Sequence, residues 1–238
     1  ASERAIRAID TMFESSGGRA LATGTYLQRA WRDAHAGRVH AANDPERALK
    51  LLAREARSCT RCDLYKHATQ TVFGEWPAGA SLMLVGEQPG DQEDLQGRPF
   101  VGPAGQVLDR ALEAAGLDRA RLYVTNAVKH FKHEPRGKRR LHKKLNAGEI
   151  DACEWWLDHE LRYIAPRVVV ALGATALRAL TGKPLSINAS RGRLIELPGA
   201  SLGMVVTVHP SYLLRIQEER DQRREFDLLV KDLRLAAD

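Results

Sequence analysis

Three cysteines are the first residues whose types and spacing suggest chemistry. Cys59 and Cys62 form a C-x2-C pair, and Cys153 lies far downstream. An odd number of cysteines argues against a disulfide framework, whereas a C-x2-C pair is typical of two ligands to one metal centre. The pattern therefore predicts a metal site that lacks one of its four ligands.

A histidine near the end of the chain is a second candidate. His209 follows the apolar run at residues 204–208 and precedes Pro210. A histidine held just past the end of a strand can donate a hydrogen bond to an oxygen that gains negative charge in a reaction. A single histidine more often has no such role, so this interpretation depends on the residues that the fold brings to it.

Residues 81–105 predict a strand, a long polar loop and a helix, in that order. The apolar run LMLV (residues 82–85) has the length of a buried strand, and the sequence GEQPG that follows is a turn. Acidic residues and a glycine-bracketed segment, GRPFVG, come next, before helical periodicity begins at residue 105. The loop is longer than an ordinary connection between strand and helix, which favours a functional role.

Residues 129–144 (KHFKHEPRGKRRLHKK) are strongly basic. They hold eight Lys or Arg against the single Glu134, in a chain whose net charge is +6. Such clustering favours a polyanion as the partner, most simply DNA or RNA. A basic surface loop without a partner is the alternative.

Predicted strands alternate with predicted helices beyond residue 44. The strands are expected at residues 82–85, 122–125, 167–172, 194–197 and 204–208. The helices are expected at residues 45–57, 105–115, 147–164, 173–180 and 222–236. This alternation predicts an α/β fold, a three-layer α/β/α sandwich with a mostly parallel central sheet. The polar loops after Val85, Thr125 and Val208 should then meet at one edge of the sheet, where ligands bind in such folds.

Residues 1–43 differ from the rest of the chain. They are rich in Ala and Arg and show no recognisable chemistry. We interpret them as a helical N-terminal extension of unknown role, either an arm on the core or the tail of another domain, and residues 44–238 as one domain. No apolar run approaches the roughly 18 residues of a membrane span, and no signal-peptide pattern is present at the N-terminus. We therefore expect a cytoplasmic protein without membrane contacts, and nothing demands more than a monomer.

The motifs resemble those of the uracil-DNA glycosylase superfamily, in its iron–sulfur branch. The sequence GEQPGDQED (residues 86–94), followed by GRPFVG (residues 97–102), is similar to the superfamily's first motif and its base-stacking loop. The sequence HPSYLLR (residues 209–215) is similar to its second motif. The resemblance covers about residues 50–235 and agrees with the α/β fold predicted above.

Within that branch, the chain resembles the UdgX group. Ordinary iron–sulfur members lack the basic insertion GKRRLH (residues 137–142), which is similar to the signature loop of that group. Gln88 after the first-motif glutamate and His130 in a cluster position agree with the same assignment. In that group the loop histidine attacks C1′ of the deoxyribose once uracil has left, and the protein stays covalently bound to the DNA.

The resemblance implies a role for each residue of the pocket. Phe100 would stack on the flipped base, Asn126 would read its Watson–Crick edge, and His209 would support departure of the uracil anion through O2. Glu87 and Asp91, together with DNA phosphates, would screen the positive charge that builds on the sugar. Further residues that would organise the pocket are Gly86 and Gln88.

The resemblance also implies a second set of residues, which would bind the DNA backbone. Ser211 and the loop that follows it contact the DNA backbone in such proteins. Lys129, Arg140 and Arg215 are expected to hold either phosphate or the basic loop.

The resemblance also completes the metal site. The branch binds a [4Fe–4S] cluster through four cysteines, and His130 stands where the family generally has the third cysteine. It thus implies a cluster held by Cys59, Cys62, His130 and Cys153. By ligand type alone zinc fits equally well, and His130 could instead be a surface or DNA-contacting histidine. The cluster would be structural and not catalytic.

His142 is the predicted nucleophile. A nucleophilic imidazole must be neutral, and the neighbouring Lys138, Arg139 and Arg140 disfavour its protonated form. Glu87 could orient the ring and take up its proton. A C–N bond made in this way resists hydrolysis, so turnover should stop after one event. The alternative is that His142 belongs to a phosphate-binding loop.

The resemblance thus implies a protein that excises uracil from DNA and then traps itself on the abasic site. As its partner we expect uracil-containing DNA, with single-stranded DNA preferred. A glycosylase of many turnovers and a non-catalytic iron–sulfur module that binds nucleic acid are the alternatives. A metal-dependent nuclease using Asp91, Glu93 and Asp94 is a further one, with little support from the sequence.

Overall fold

The structure is a computed structural model that describes residues 44–75, 77–137, 139–197 and 202–237. The chain divides into two compact units, residues 1–50 and 51–238. The described part of the first unit is the beginning of helix α1 (Pro45–Ala56), where Asp44 Oδ1 accepts a hydrogen bond from the backbone N–H of Glu46 at 3.1 Å. The helix begins at the residue predicted from the sequence. The short helices predicted before residue 44 lie outside the described residues.

A five-stranded sheet forms the centre of the second unit. Its strands are β1 (Leu82–Gly86), β2 (Tyr123–Asn126), β5 (Val168–Leu172), β6 (Leu194–Glu196) and β7 (Gly203–Thr207), in the order β2–β1–β5–β7–β6. The pairs β1–β2, β1–β5 and β5–β7 are parallel, and β6 is antiparallel to β7. The prediction of a mostly parallel sheet is confirmed.

Helices flank this sheet. They are α2 (Asp91–Gln96), α3 (Pro103–Ala115), α4 (Ala147–Ile164), α5 (Ala174–Thr181), α6 (Ile187–Ser190), α7 (Pro210–Leu213) and α8 (Glu219–Ala237). Helix α8 packs against β5, β7, α3 and α7, while α5 packs against β1, β5 and α4. The result agrees with the predicted three-layer sandwich. Within the described ranges, no helix is both long and apolar enough to cross a membrane.

Both faces of the sheet are buried, which explains why its strands are continuous apolar runs and do not alternate with polar residues. Leu82 and Leu84 of β1 join the core that α3 and α8 cover, and the intervening Met83 and Val85 are buried as well. The strands therefore end where the apolar runs end, and their polar loops begin there.

Several elements were not predicted from the sequence: the short helices α6 and α7, helix α2 and the hairpin of the basic loop. Helix α2 occupies part of the acidic loop, because Glu93 reaches back to the N–H of Gly90 at 3.1 Å and Gly97 ends the helix in a left-handed conformation, φ 70°. The basic loop forms a hairpin of β3 (His133–Arg136) and β4 (Arg139–His142), in which His133 pairs with His142.

Candidate active site

The loops after β1, β2 and β7 meet at one edge of the sheet, as predicted. Gly86 at the end of β1 is in register with Asn126 at the end of β2, and His209 lies two residues after the end of β7. Because these three strands are parallel, their carboxyl ends share that edge. The loops bring together Phe100, Asn126 and His209, three of the residues that the sequence singled out.

Phe100 forms one wall of this pocket. Its side chain is buried, its φ is +54°, and its ring centroid lies 5.7 Å from that of His209. A left-handed conformation strains a residue with a side chain, so its surroundings must hold it. Arg119 does so by donating to the carbonyl of Phe100 at 3.1 Å and to that of Pro99 at 2.9 Å.

Gly86 allows the walls to approach each other. A Cβ atom at this position would lie 2.3 Å from Asn126 Oδ1 and 2.5 Å from Phe100 Cζ. Both contacts are far closer than van der Waals separation, so glycine is needed here for space. Its carbonyl accepts from the N–H of Ala127 at 2.9 Å, which continues the pairing of the two strands into the loops.

Asn126 brings an unused acceptor to the pocket. The residue is buried, and among the described residues its Oδ1 has no hydrogen-bond partner. A buried polar atom without a partner is costly and is a sign of a missing ligand. The backbone carbonyl of Asn126, by contrast, accepts from Lys129 Nζ at 2.6 Å.

Lys129 differs from the prediction that it binds the substrate. Its side chain is 0% exposed and is paired with Glu160, whose side chain is equally buried. The buried side chain has no access to DNA phosphate in this structure, and its partners, Glu160, Thr125 and the carbonyl of Asn126, lie outside the basic loop.

His209 presents the opposite kind of atom, a hydrogen-bond donor. Its Nδ1 accepts from the backbone N–H of Ser211 at 3.2 Å, and Ser211 Oγ lies 2.9 Å away. Burial, aided by His142 and Arg215, lowers the pKa of His209 to about 4, so the ring is neutral at pH 7. With Nδ1 as the acceptor, the proton is on Nε2. That Nε2 is buried and has no partner in the described part of the chain.

His142 lies at the end of β4, with its ring centroid 6.1 Å from that of Phe131. Gln88 Nε2 approaches His142 Nε2 at 2.9 Å. The amide of Gln88 is oriented by two backbone groups: its Oε1 accepts from the N–H of Lys132 at 2.7 Å, and its Nε2 donates to the carbonyl of Lys143 at 2.9 Å. Because this nitrogen can only donate, His142 Nε2 is an acceptor and the proton is on Nδ1.

Desolvation and Arg215 lower the pKa of His142, while Glu87 acts in the opposite direction. The ring is therefore neutral at pH 7, as the sequence predicted, but for a different reason. Arg140 is already paired with carboxylates, and Lys138 lies outside the described residues. The sequence offered no signal that Arg215, 73 positions away, would be the relevant cation.

Arg140 anchors the hairpin to the first-motif loop. It donates to Asp91 Oδ1 and Asp94 Oδ2, each at 2.6 Å, and to Thr69 Oγ1 at 3.0 Å. Asp91 is thus one side of an ion pair with the guanidinium group of Arg140. Sequence reasoning missed Thr69, which carries no motif.

The acidic residues considered for a nuclease serve as structural acceptors. Glu93 accepts from the N–H of Gly102 at 2.7 Å and Asp94 from the N–H of Thr69 at 3.0 Å, in addition to the contacts already given. Among the described residues no group of three His, Cys, Asp or Glu is arranged to hold a metal ion, and this holds for the predicted cluster residues Cys59, Cys62, His130 and Cys153 as well. The structure gives the nuclease interpretation no support.

Two of the three cysteines, Cys59 and Cys153, are buried, and Cys62 is half-buried. Burial raises the pKa of Cys153 to about 12, and Cys62 and Cys59 add to this rise through their charges. Cys153 Sγ accepts from the N–H of Lys129 at 3.3 Å, and Cys59 Sγ accepts from Trp156 Nε1 at 3.1 Å. Such N–H donors are typical neighbours of sulfur ligands in metal centres.

His130 has a free lone pair. Thr71 Oγ1 donates its proton to the carbonyl of Ala56 at 2.8 Å, so it must accept from His130 Nε2, which lies 3.0 Å away. His130 Nδ1 is then unprotonated, and it is buried without a partner within the described ranges. A metal-binding histidine has this arrangement, one nitrogen fixed by a neighbour and the other free for the metal.

Fold and site together define an α/β protein with a small pocket at the carboxyl ends of parallel strands, walled by an aromatic ring, an amide and a neutral imidazole. Residues 73–234 match the model of the uracil DNA glycosylase superfamily. The Type-4 uracil-DNA glycosylase of Thermotoga maritima is 38% identical over 171 residues, which cover 71% of this chain and 85% of that protein. That of Pyrobaculum aerophilum is 34% identical over 173 residues, covering 70% and 85%. This chain belongs to the uracil-DNA glycosylase superfamily.

The N-terminal part has a different similarity. Residues 1–45 match the model of the acyl-CoA dehydrogenase C-terminal domain. The oxygenase subunit HsaA of a flavin-dependent monooxygenase from Rhodococcus jostii is 77% identical over 51 residues, which are 21% of this chain and 13% of that protein. The role of residues 1–43, and their separation from a domain at 44–238, stay predictions.

Proposed function

We propose that this protein excises uracil from DNA. The observation that carries the proposal is a pair of buried polar atoms beside Phe100, the acceptor Asn126 Oδ1 and the donor His209 Nε2, which have no hydrogen-bond partner among the residues that the structure describes. Uracil presents a matching edge, with the N3–H donor between two carbonyl acceptors. A flipped base that stacks on Phe100 would satisfy both atoms.

The bond that breaks joins N1 of uracil to C1′ of the deoxyribose, and the base leaves with the electron pair. Negative charge then develops on O2 of uracil, where a neutral His209 donates its Nε2–H. Positive charge develops on the sugar. Asp91 is already paired with Arg140, so among the predicted carboxylates Glu87 is the one left to screen it.

We further propose that His142 Nε2 bonds to C1′ after uracil has left, as in the UdgX group. The nitrogen lone pair forms the new C–N bond, and the Nδ1 proton then passes to Glu87 or to water, which leaves a neutral substituted imidazole. Gln88 holds this lone pair in the free protein, so binding of DNA must displace its amide. The neutral state of His142 supports this role.

An ordinary glycosylase that turns over many times is the second candidate. The similarity to Type-4 uracil-DNA glycosylases favours this candidate. The two candidates assign the same roles to the other residues of the site and differ only in whether His142 acts as a nucleophile.

Uracil-containing single-stranded DNA is the proposed partner, bound by a monomer. A base in a single strand costs less to flip than one in a duplex, and the exposed Arg215 and the half-buried Ser211 lie beside the pocket for contact with phosphate. Because its substrate would be DNA, we propose that the protein acts inside the cell.

A [4Fe–4S] cluster held by Cys59, Cys62, His130 and Cys153 is the proposed cofactor, with zinc as the alternative. The buried lone pair of His130 Nδ1 and the N–H donors to the sulfur atoms fit such a group. A bound cation would favour the thiolates against the desolvation that raises the pKa of Cys153. Its role would be structural, joining the segment at Cys59 to helix α4.

Release of free uracil tests the proposed function. A single-stranded oligonucleotide with one labelled uracil is incubated with the protein, and the released base is separated by chromatography. We expect uracil release from the wild type and a fall of about 100-fold in His209→Asn, because one oxyanion donor is lost. A thymine oligonucleotide is the control. Binding that does not depend on uracil, with no release, would instead identify a nucleic-acid binding module.

A further inference from the structure

Behind the pocket, Lys129 and Glu160 form an ion pair that the proposed chemistry does not use. Lys129 follows β2, Glu160 lies on α4, their charged atoms are 2.5 Å apart, and both side chains are 0% exposed. Such pairs are often no more stabilising than apolar residues of the same size, because both charges lose their hydration. Stability alone does not explain this pair.

Every proton of the Lys129 ammonium group has an acceptor. Besides Glu160, they are Thr125 Oγ1 at 2.8 Å and the backbone carbonyl of Asn126 at 2.6 Å. Glu160 is in turn fixed by Tyr123 and Thr125, whose hydroxyls donate to its Oε1 at 2.9 Å. The carbonyl of Asn126 is thus bonded to a group that has no freedom to move.

Helix α4 holds Lys129 at both ends. Cys153 Sγ accepts its backbone N–H at 3.3 Å, and Glu160, two helical turns further along, accepts its side chain. Residues 126–129 are therefore tied to one helix at two points. The position of Asn126 relative to Gly86 and Phe100 depends on both.

We infer that the buried Lys129–Glu160 pair is a positioning device that sets the selectivity of Asn126 for uracil. This inference rests on the proposed function. Uracil offers a donor at N3, whereas cytosine offers an acceptor there, so an amide that is free to turn could accept either base. Holding the Asn126 backbone beside Gly86 fixes the point from which its side chain reaches the base, so that Oδ1 stays at the distance at which it accepts the N3–H of uracil.

The double variant Lys129→Met/Glu160→Leu tests the inference. It removes both charges at similar volume, so the protein should still fold. We expect uracil release under single-turnover conditions to slow by about 10- to 100-fold, and release of cytosine relative to uracil to rise. Iron content per chain should stay that of the wild type, since the backbone N–H of Lys129 is retained. If the double variant does not fold, Glu160→Gln replaces it: the uncompensated charge of Lys129 lowers its stability, and in the folded protein both rates should change in the same direction as expected for the double variant.

Tyr123→Phe is the matched control. It deletes a hydrogen bond to Glu160 but keeps all three bonds of Lys129. Uracil release should stay within about twofold of the wild type, even where thermal stability falls. A similar loss of rate in the control would mean that the pair matters for stability alone and would overturn the inference.

A second readout separates this inference from the proposed function. The side-chain amide of Asn126, assigned by its absence in Asn126→Asp, should give one sharp pair of NMR signals in the wild type and broadened or shifted signals in the double variant. If the wild type releases no uracil, the proposed function fails while these signals still decide the positioning role. The positioning role would be refuted if a folded double variant released uracil at the wild-type rate, kept the wild-type selectivity and gave the wild-type amide signals.

Discussion

The two histidines of the site differ in which nitrogen carries the proton, and their neighbours decide this. Ser211 donates its N–H to Nδ1 of His209, which leaves an Nε2–H donor for the base. Gln88 donates its amide to Nε2 of His142, which leaves that nitrogen unprotonated for the sugar. One residue type therefore supplies both a donor and a candidate nucleophile at the same pH.

The pKa of His209 predicts how stability depends on pH. Burial lowers it from 6.5 to about 4, so between these values the unfolded state binds a proton that the native state excludes. Stability is therefore complete above pH 6.5 and falls as the pH drops toward 4. At pH 4.5 the loss from this residue is about 2.5 kcal/mol.

Urea unfolding at pH 7 and pH 4.5 measures this loss. The variant His209→Asn should lose about 2.5 kcal/mol less than the wild type over the same interval. An equal loss in both proteins would mean that His209 is protonated in the native state.

Gly86→Ala tests whether the pocket needs glycine for space. The new Cβ would lie 2.3 Å from Asn126 Oδ1, so the amide or Phe100 must move. We expect uracil release to fall by about 100-fold, since a displacement of about 1 Å has that effect. Gly148→Ala, an exposed helical position whose nearest atom is 3.6 Å away, should leave the rate unchanged. Equal rates in wild type and Gly86→Ala would contradict this account of the pocket.

At the residue scale, the sequence identified the side chains that carry motifs and missed those that hold them. Asn126 and His209 stand at or just after strand ends and Phe100 stands in the loop between helices α2 and α3, each within a short recognisable segment. Glu160 has no motif, and its burial against Lys129 depends on how α4 crosses the sheet. A charged residue seven positions after Cys153, on the same helix face, was the one available signal.

The hairpin β3–β4 is the element that carries the candidate nucleophile. It has few apolar residues of its own and depends on Arg140, which joins it to Asp91, Asp94 and Thr69. Its antiparallel pairing places His142 opposite His133. The position of His142 relative to the pocket is therefore set by ion pairs more than by apolar packing.

Arg140→Ala should separate trapping from excision. Without its anchor the hairpin loses its fixed position, so covalent adduct should fall by at least about tenfold while uracil release changes by less than about threefold. Both products are measured from the same reaction, the adduct on a denaturing gel and the base by chromatography. Arg136→Ala, an exposed cation of the same hairpin, is the control and should retain both activities. Equal loss of both products in Arg140→Ala would mean that the hairpin also builds the pocket.

Elements of the sheet were predictable, whereas the hairpin was not. The runs at β1, β2, β5 and β7 are apolar because both faces of the sheet are buried, and the sequence shows this directly. The hairpin is dominated by charge, so its pattern resembles a solvated loop until its ion partners are known. Helix α2 was missed because it is six residues long and depends on a capping glutamate.

At the scale of the whole molecule, helix α4 links the predicted cluster to the pocket. It carries Cys153, which accepts the N–H of Lys129, next to the candidate ligand His130. The three cysteines come from two distant segments, and a cluster would join these segments covalently. We therefore expect the cluster to stabilise the domain.

Cys153→Ser should lower both metal content and stability. We expect iron per chain to fall, and the melting temperature to drop by roughly 10 °C, which corresponds to about 3 kcal/mol of lost metal-binding free energy. Ala152→Ser, which adds a hydroxyl at the neighbouring position of the same helix, should change neither value. Iron content that is unaffected by Cys153→Ser would remove this residue from the ligand set, and zinc in place of iron would identify the other metal.

Covalent trapping on uracil-containing DNA is the central claim, and a denaturing gel tests it most directly. The protein is mixed with a labelled single-stranded uracil oligonucleotide, heated in detergent and separated beside a thymine oligonucleotide and the variant His142→Ser. The account predicts a slow-migrating band that requires uracil and is absent in the variant. Free oligonucleotide with alkali-labile sites in excess over the protein, and no such band, would contradict it and identify a glycosylase of many turnovers.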